Sequence, residues 1–138
     1  MSTHATLIIQ LTDGTYTSQY VHFDGYLSGV GATLNEYYHD QTKVEALSAL
    51  GSISVLDAEI DKPEGHTFAH QISGYTVAYG RDRGETDVGP IKGSTLQELL
   101  DKGIEEYAYV WKDGAWFSVD NRGDLINLGE ALQADASR

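Results

Sequence analysis

The apolar positions at the start of the chain alternate and predict a β-hairpin. Leu7, Ile9 and Leu11 fall on one side of a strand, because successive side chains of a strand point to opposite faces. Asp13-Gly14 follows, a dipeptide that favours a tight hairpin turn. Residues 15–23 are rich in Tyr, Thr and Val and predict the return strand.

Beyond residue 25 the apolar spacing lengthens from two residues to three or four, which predicts two consecutive helices. The first covers residues 28–38. The second begins at a capping box, Thr42 to Glu45, and ends at Gly51. Two shorter helices are predicted, one after a capping box at residues 94–97 and one over residues 128–134.

Further strands are predicted over residues 53–56 and 71–79, and a second hairpin over residues 105–119. A glycine-rich, charged loop is predicted over residues 80–93. Together the elements predict an α+β fold, an antiparallel sheet of about four to six strands with helices packed on one face. Residues 1–138 are predicted to form a single domain, since this length suits one hydrophobic core.

Two of the predicted strands separate small residues from aromatic ones. In the second hairpin, Ala108 and Val110 lie opposite the aromatic residues of the same strand, and residues 74–80 repeat the pattern. The small face allows helices to approach closely. The aromatic face then belongs to the main core, a subunit interface or a ligand platform, and the pattern leaves these alternatives open.

The charge of the chain limits its partners. Nine Lys and Arg residues against 21 Asp and Glu residues give a net charge of −12. Such a surface repels phosphate backbones, so we expect no direct binding of nucleic acid. Two interpretations remain: a solvated surface, or an acidic face that imitates nucleic acid and occupies a basic groove of another protein.

Several classes of site have no support in the sequence. The chain has no cysteine, so disulfides and thiolate metal sites are excluded, in agreement with a reducing cytoplasm. No leader peptide and no apolar stretch of ~20 residues is present, so we expect a cytoplasmic protein without membrane association. No P-loop, GxSxG, cofactor or metal motif occurs, and an Asp–His pair alone does not predict an enzyme.

The segment HFDGY, His22 to Tyr26, is the first candidate site. His22 and Asp24 are two residues apart, so both can face a ligand, or Asp24 can orient the imidazole. Tyr26 adds a ring that can stack on a base. The alternative is that Asp24 and Gly25 only form the turn between a strand and a helix.

The segment YGRDRGE, Tyr79 to Glu85, is the second candidate site. Strand-like alternation from Tyr79 places Arg81 and Arg83 on one side, where their guanidinium groups can bind phosphate or carboxylate. Tyr79 can stack on the base of a nucleotide. The alternative is an internal cluster of ion pairs with the neighbouring carboxylates.

The combined motifs resemble a family of small proteins common in the genomes of tailed phages. The resemblance covers residues 7–85 and 105–117, and includes YVHFDGYLSGVGATLNEYY, KVEALSALGSIS, YGRDRGE and EEYAYVWKDGAWF. Members usually carry His-Trp-Asp-Gly-Tyr-Pro where this chain has HFDGYL, so Phe23 and Leu27 depart from the family pattern. The resemblance implies a phage or prophage origin, and hence the cytoplasm of an infected bacterium, but no mechanism.

From that origin we predict a counter-defence protein that sequesters a small nucleotide-type immune signal without turning it over. A homo-oligomer with pockets at its interfaces is expected. The predicted ligand-binding residues are His22, Asp24, Tyr26, Tyr79, Arg81 and Arg83. The alternative is an acidic, nucleic-acid-mimicking inhibitor of a host nuclease or CRISPR-type complex. A third hypothesis is an accessory phage domain in which both arginines pair internally.

Overall fold

The computed structural model describes residues 2–137, which form one eight-stranded sheet with five α-helices. The strands are β1 Ala5–Gln10, β2 Tyr16–Val21, β3 Ile53–Val55, β4 Val77–Ala78, β5 Ile91–Gly93, β6 Tyr107–Lys112, β7 Ala115–Val119 and β8 Leu125–Asn127. The helices are α1 Ala32–Tyr37, preceded by a π-helical turn Leu27–Gly31, then α2 Gln41–Ala49, α3 Tyr79–Arg83, α4 Leu96–Asp101 and α5 Leu128–Ala136.

The sheet is mixed, with the order β4-β3-β2-β1-β6-β7-β8 and with β5 paired to β2 off that path. The hairpin neighbours are antiparallel, whereas β1 pairs with β6 and β2 with β3 in parallel. The mixture of helices and strands is confirmed, but the purely antiparallel sheet of four to six strands is wrong in size and strand direction. Turn residues signal hairpins locally, whereas a parallel pair joins segments connected by a long crossover and has no such signal.

Helices cover both faces of the sheet, so the prediction of one covered face is wrong. Leu7 and Ile9 of β1 face the larger core, to which α1, α2 and α5 contribute. Ile8 faces a smaller core with Leu99 of α4 and Val110 of β6. Residues 5–9 of this central strand are buried on both sides, so both sides need cover, as expected for the consecutive aliphatic residues 7–9.

The aromatic face of β6 belongs to the larger core. Tyr109 and Trp111 are buried there. The Tyr109 hydroxyl donates to the Gly25 carbonyl at 2.8 Å, and Trp111 Nε1 donates to Gln41 Oε1 at 2.7 Å. Of the three alternatives for this face, the structure selects the main core.

Both predicted hairpins and the helices near them are confirmed with small shifts. Helix α2 begins one position earlier than its predicted cap. Asp40, rather than Thr42, caps it, with Asp40 Oδ1 accepting the Thr42 N–H at 3.1 Å. The predicted C-terminal helix is found as α5.

The predicted strand over residues 71–79 is shortened to the two residues of β4, and α3 replaces the start of the predicted loop. Asp82 of α3 turns back toward the strand, and its Oδ2 accepts the Ala78 N–H at 2.8 Å. In a longer strand the Ala78 N–H would bond to a neighbouring strand. Here the Asp82 carboxylate accepts it instead, and the chain continues as the helix α3.

Candidate functional site

A cleft of about 170 Å³ opens where β2 forks at its outer edge. Tyr16 to Ser18 pair with β5, whereas Val21 pairs with β3, so residues 19 and 20 lie between two partners. Six of its nine lining residues have polar side chains: Thr6, Ser18, Gln19, Tyr20, Ser52 and Glu105.

Tyr20 also joins two histidines beside the cleft. Its hydroxyl lies 2.6 Å from His22 Nδ1 and 3.0 Å from His4 Nδ1. The two imidazole rings lie with their centroids 4.8 Å apart. Burial raises the pKa of the Tyr20 hydroxyl above its ordinary value, and nearby Tyr79 and Glu105 raise it further. We refer to His4, Tyr20, His22 and the adjoining cleft as the Tyr20 site.

When both imidazoles are neutral, the hydrogen bonds of this cluster fix the tautomer of His4 and favour one tautomer of His22. His4 Nδ1 lies 2.8 Å from the His22 carbonyl, which can only accept, so His4 Nδ1 carries the proton. Within the cluster the Tyr20 hydroxyl proton has an acceptor only at His22 Nδ1, and in that arrangement the His22 proton lies on Nε2, 3.3 Å from the Ser2 hydroxyl. His4 Nε2 is consequently a hydrogen-bond acceptor.

The register of the first hairpin brings these side chains together. Ala5 pairs with Val21 and Thr6 with Tyr20, so His4 lies opposite His22 just beyond the paired residues. Sequence reasoning found His22 and missed His4 and Tyr20. The signal was present, because the predicted hairpin already brings the start of β1 to the end of β2.

Arg81 is turned into the protein and holds backbone groups. Its Nε lies 2.9 Å from Asp82 Oδ1, and its Nη2 donates to the Thr76 carbonyl at 2.9 Å. Its Nη1 donates to the Ile60 carbonyl. With these donors engaged, Arg81 fastens α3 to the segment before β4 and is not presented to a ligand.

Arg83 points elsewhere, because residues two apart on a helix are rotated by about 200° instead of sharing a side as they do in a strand. Its Nε lies 3.4 Å from Glu85 Oε2, and its guanidinium lies 4.8 Å from the centre of the Phe68 ring. Phe68 in turn packs against Tyr79, with ring centres 5.6 Å apart. Both arginines thus pair with neighbouring carboxylates, as the accessory-domain hypothesis expects, and they do not form one phosphate fork.

Asp24 and Tyr26 pair with each other instead of with His22. The Tyr26 hydroxyl donates to Asp24 Oδ1 at 3.3 Å, and the Asp24 carboxylate raises the pKa of Tyr26. Asp24 has a left-handed backbone, with φ of 59°, which suits the turn alternative. Of the predicted residues, His22 hydrogen bonds to Tyr20, and the Tyr79 N–H donates at 3.2 Å to the carbonyl of Ser52, which lines the cleft. The Asp24–Tyr26 pair lies on an exposed corner.

A second titratable cluster is buried under α3. His66 and Asp82 have fully buried side chains, with His66 Nε2 at 3.6 Å from Asp82 Oδ2. His66 Nδ1 accepts the Ile72 N–H at 3.1 Å. The cluster ties residues 66–72 to α3, and its position inside the protein gives it a structural role.

Comparison with known proteins identifies no relative: no family model, no curated protein and no solved structure matches the chain. The phage resemblance therefore stays a prediction. Within residues 2–137, no helix combines the length and apolar character needed to cross a membrane. The same residues contain no group of three or more His, Asp or Glu side chains arranged for a metal ion.

Replacing Tyr20 by Phe is expected to remove the preference of the His22 ring for the Nε2–H tautomer, because His22 Nδ1 loses its hydroxyl partner. The loss of stability should be modest, about 1 kcal/mol for one hydrogen bond. Imidazole nitrogen shifts measured by NMR would report the Nε2–H form of His22 in the wild type and a mixture of tautomers in the variant. Tyr26→Phe is the control and should leave the His22 shifts unchanged; a change of equal size in both variants would contradict the assigned cluster.

Proposed function

We propose that the protein binds a small nucleotide-type ligand at the Tyr20 site and sequesters it without turnover, as a phage counter-defence protein. The observation that carries the proposal is the position of Tyr20, which lines the polar cleft and also hydrogen bonds to His4 and His22. Hydroxyl, imidazole and carboxylate groups within one small area suit the polar edges of a base and a sugar.

The size of the cleft decides how such a ligand would be held. Its volume of about 170 Å³ is below the roughly 300–1,000 Å³ of pockets that enclose a drug-sized ligand. It therefore suits one group of a nucleotide, the base or the sugar, with the remainder on the neighbouring surface or against a second copy of the chain.

That neighbouring surface offers an aromatic ring and a cation. The Tyr79 N–H donates at 3.2 Å to the carbonyl of Ser52, which lines the cleft. Phe68 packs on Tyr79, and Arg83 lies over Phe68. Exposed ion pairs contribute little, so a phosphate group can replace Glu85 as the partner of Arg83. The proposal thus retains His22, Tyr79 and Arg83 from the sequence prediction and excludes Arg81.

Calorimetric titration with adenosine monophosphate, a cyclic dinucleotide and ADP-ribose tests the proposal. The wild type is expected to bind at least one of them, and His22→Ala and Arg83→Ala are each expected to weaken that binding by about tenfold. Tyr37→Ala, at an exposed tyrosine of α1, is the matched control and should change the affinity less than twofold. No binding by the wild type would overturn the proposal and favour the accessory-domain hypothesis.

A second candidate, the acidic inhibitor of a host nuclease complex, is supported by where the carboxylates lie. Among the residues that the structure describes, Asp82 is the only buried acidic one, so the other Asp and Glu side chains reach the surface. A pull-down from infected cells separates the candidates. An inhibitor should retain a stoichiometric protein partner and lose it when exposed carboxylates are reversed to Lys, whereas a sequestering protein should retain none.

A further inference from the structure

Three side chains at the open end of the first hairpin face the same side of the sheet. His4 lies opposite His22, and Tyr20 is two residues before His22, so all three share the face that carries Thr6. The Tyr20 hydroxyl lies 3.0 Å from His4 Nδ1 and 2.6 Å from His22 Nδ1. Two imidazole nitrogens and one phenol oxygen are thus grouped as potential metal ligands, two from one strand and one from its neighbour.

The spacing of these donor atoms is close to that required around a transition-metal ion. Ligands about 2.1 Å from a four-coordinate ion lie roughly 3.4 Å apart in a tetrahedron and roughly 3.0 Å apart in a square plane. The distance from His4 Nδ1 to the phenol oxygen already fits, and that from His22 Nδ1 has to lengthen by about 0.4 Å. All three side chains are partly exposed, which permits this adjustment and admits an ion from solvent.

The second nitrogen of each ring supports ligation through Nδ1. His22 Nε2 lies 3.3 Å from the Ser2 hydroxyl, a contact of the kind that orients a ligating imidazole. Within residues 2–137, both hydrogen bonds of His4 use Nδ1, so its proton can move to Nε2 when Nδ1 binds an ion. That change breaks the bond from His4 Nδ1 to the His22 carbonyl, so the ion must supply more free energy than one hydrogen bond.

We infer that His4, Tyr20 and His22 bind a divalent first-row transition-metal ion, Cu²⁺ or Zn²⁺. Imidazole nitrogen suits these ions, whereas Mg²⁺ and Ca²⁺ prefer oxygen ligands. Only two of the donors are imidazoles, so Tyr20 is the required third ligand. It binds as the phenolate and releases its proton to solvent, because a bound cation favours the ionised form of its ligand.

The surroundings of the site also favour a cation. The net charge of −12 and the Glu105 carboxylate of the adjoining cleft both attract positive ions. Three protein ligands leave one position of a four-coordinate ion for water, or for an oxygen atom of a molecule in the cleft that Tyr20 lines. The inference does not depend on the proposed function, since the ion binds without a nucleotide.

Titration of chelator-dialysed protein with Cu²⁺, Zn²⁺ and Mg²⁺, followed by calorimetry and visible absorption, tests the inference. The wild type is expected to bind one Cu²⁺ per chain, Zn²⁺ more weakly and Mg²⁺ not at all. Bound Cu²⁺ should give a phenolate-to-copper charge-transfer band. His22→Ala should weaken Cu²⁺ binding by about tenfold or more, and Tyr20→Phe should also remove the band. His70→Ala, at an exposed histidine outside the site, is the control and should change the affinity less than twofold.

Each outcome supports or overturns the metal site. Loss of Cu²⁺ affinity in His22→Ala together with loss of the band in Tyr20→Phe supports it. No binding by the wild type, or equal weakening by His22→Ala and His70→Ala, overturns it. Binding without the band excludes Tyr20 as a ligand and overturns the three-donor site. Nucleotide titration remains a separate result, so the metal site and the proposed function can each fail alone.

Discussion

Replacing Asp82 by Asn is expected to lower the free energy of unfolding by about 3 kcal/mol, because it removes one partner of a buried ion pair. The Asp82 side chain is fully buried and accepts from Arg81 Nε at 2.9 Å, from Arg81 Nη2 at 3.1 Å and from the Ala78 N–H at 2.8 Å. Arg81 also holds the Thr76 and Ile60 carbonyls, so the pair fastens α3 to the segment before β4.

Glu85→Gln is the matched control for Asp82→Asn. It makes the same chemical change at the carboxylate that pairs with exposed Arg83 at 3.4 Å, and it should cost less than about 0.5 kcal/mol. Urea denaturation at pH 7 measures the loss in free energy of unfolding for both variants. Similar losses would contradict a stabilising buried ion pair between Arg81 and Asp82.

The effect of Asp82 should also depend on pH. Burial alone would raise its pKa, but the Arg81 guanidinium and the Ala78 N–H hold it below the ordinary value of 3.8. Because the folded pKa lies below the unfolded one, the ionised carboxylate stabilises the fold fully above about pH 4, and that stabilisation is lost as pH falls through the folded pKa. The difference in free energy of unfolding between the wild type and Asp82→Asn should therefore be constant from pH 7 to about pH 5 and should decrease below about pH 4.

Replacing Gly51 by Ala is expected to cost about 2–4 kcal/mol, from steric overlap combined with backbone strain. A Cβ at this position would lie 2.2 Å from the Val88 carbonyl oxygen and 2.8 Å from Gly89 Cα, and the residue has φ of +70°. The Gly51 carbonyl also accepts from Gln19 Nε2, so the variant should also disturb the contact between β2 and the end of α2.

Gly65→Ala separates the two causes. Gly65 has φ of +83°, but a Cβ there would meet no heavy atom within 4 Å, so only the strain of about 1 kcal/mol applies. Thermal or urea denaturation gives the free energy of unfolding that each variant loses. The loss for Gly51→Ala minus the loss for Gly65→Ala is the contribution of the steric overlap. Equal losses would mean that the chain after α2 does not approach residues 88–89 as closely as the structure shows.

The candidate site was half predictable. His22 and Tyr79 were found because polar and aromatic residues stand out at the ends of strands. Arg81 and Arg83 were assigned to one side on the assumption of an extended chain, and the helix α3 separates them. The cleft could not be recognised, since Tyr20, Ser52 and Glu105 are distant in sequence and come together only through the fold.

The sequence by itself determined the two hairpins and the helices α1, α2 and α5, because turn residues, caps and periodicity act between near neighbours. Tertiary structure alone decided the parallel pairing of β1 with β6 and of β2 with β3, and the division of β2 between two partner strands. It also decided which groups Arg81 and Arg83 bind. Those features depend on contacts between distant segments, whose free energy is gained only once the sheet assembles.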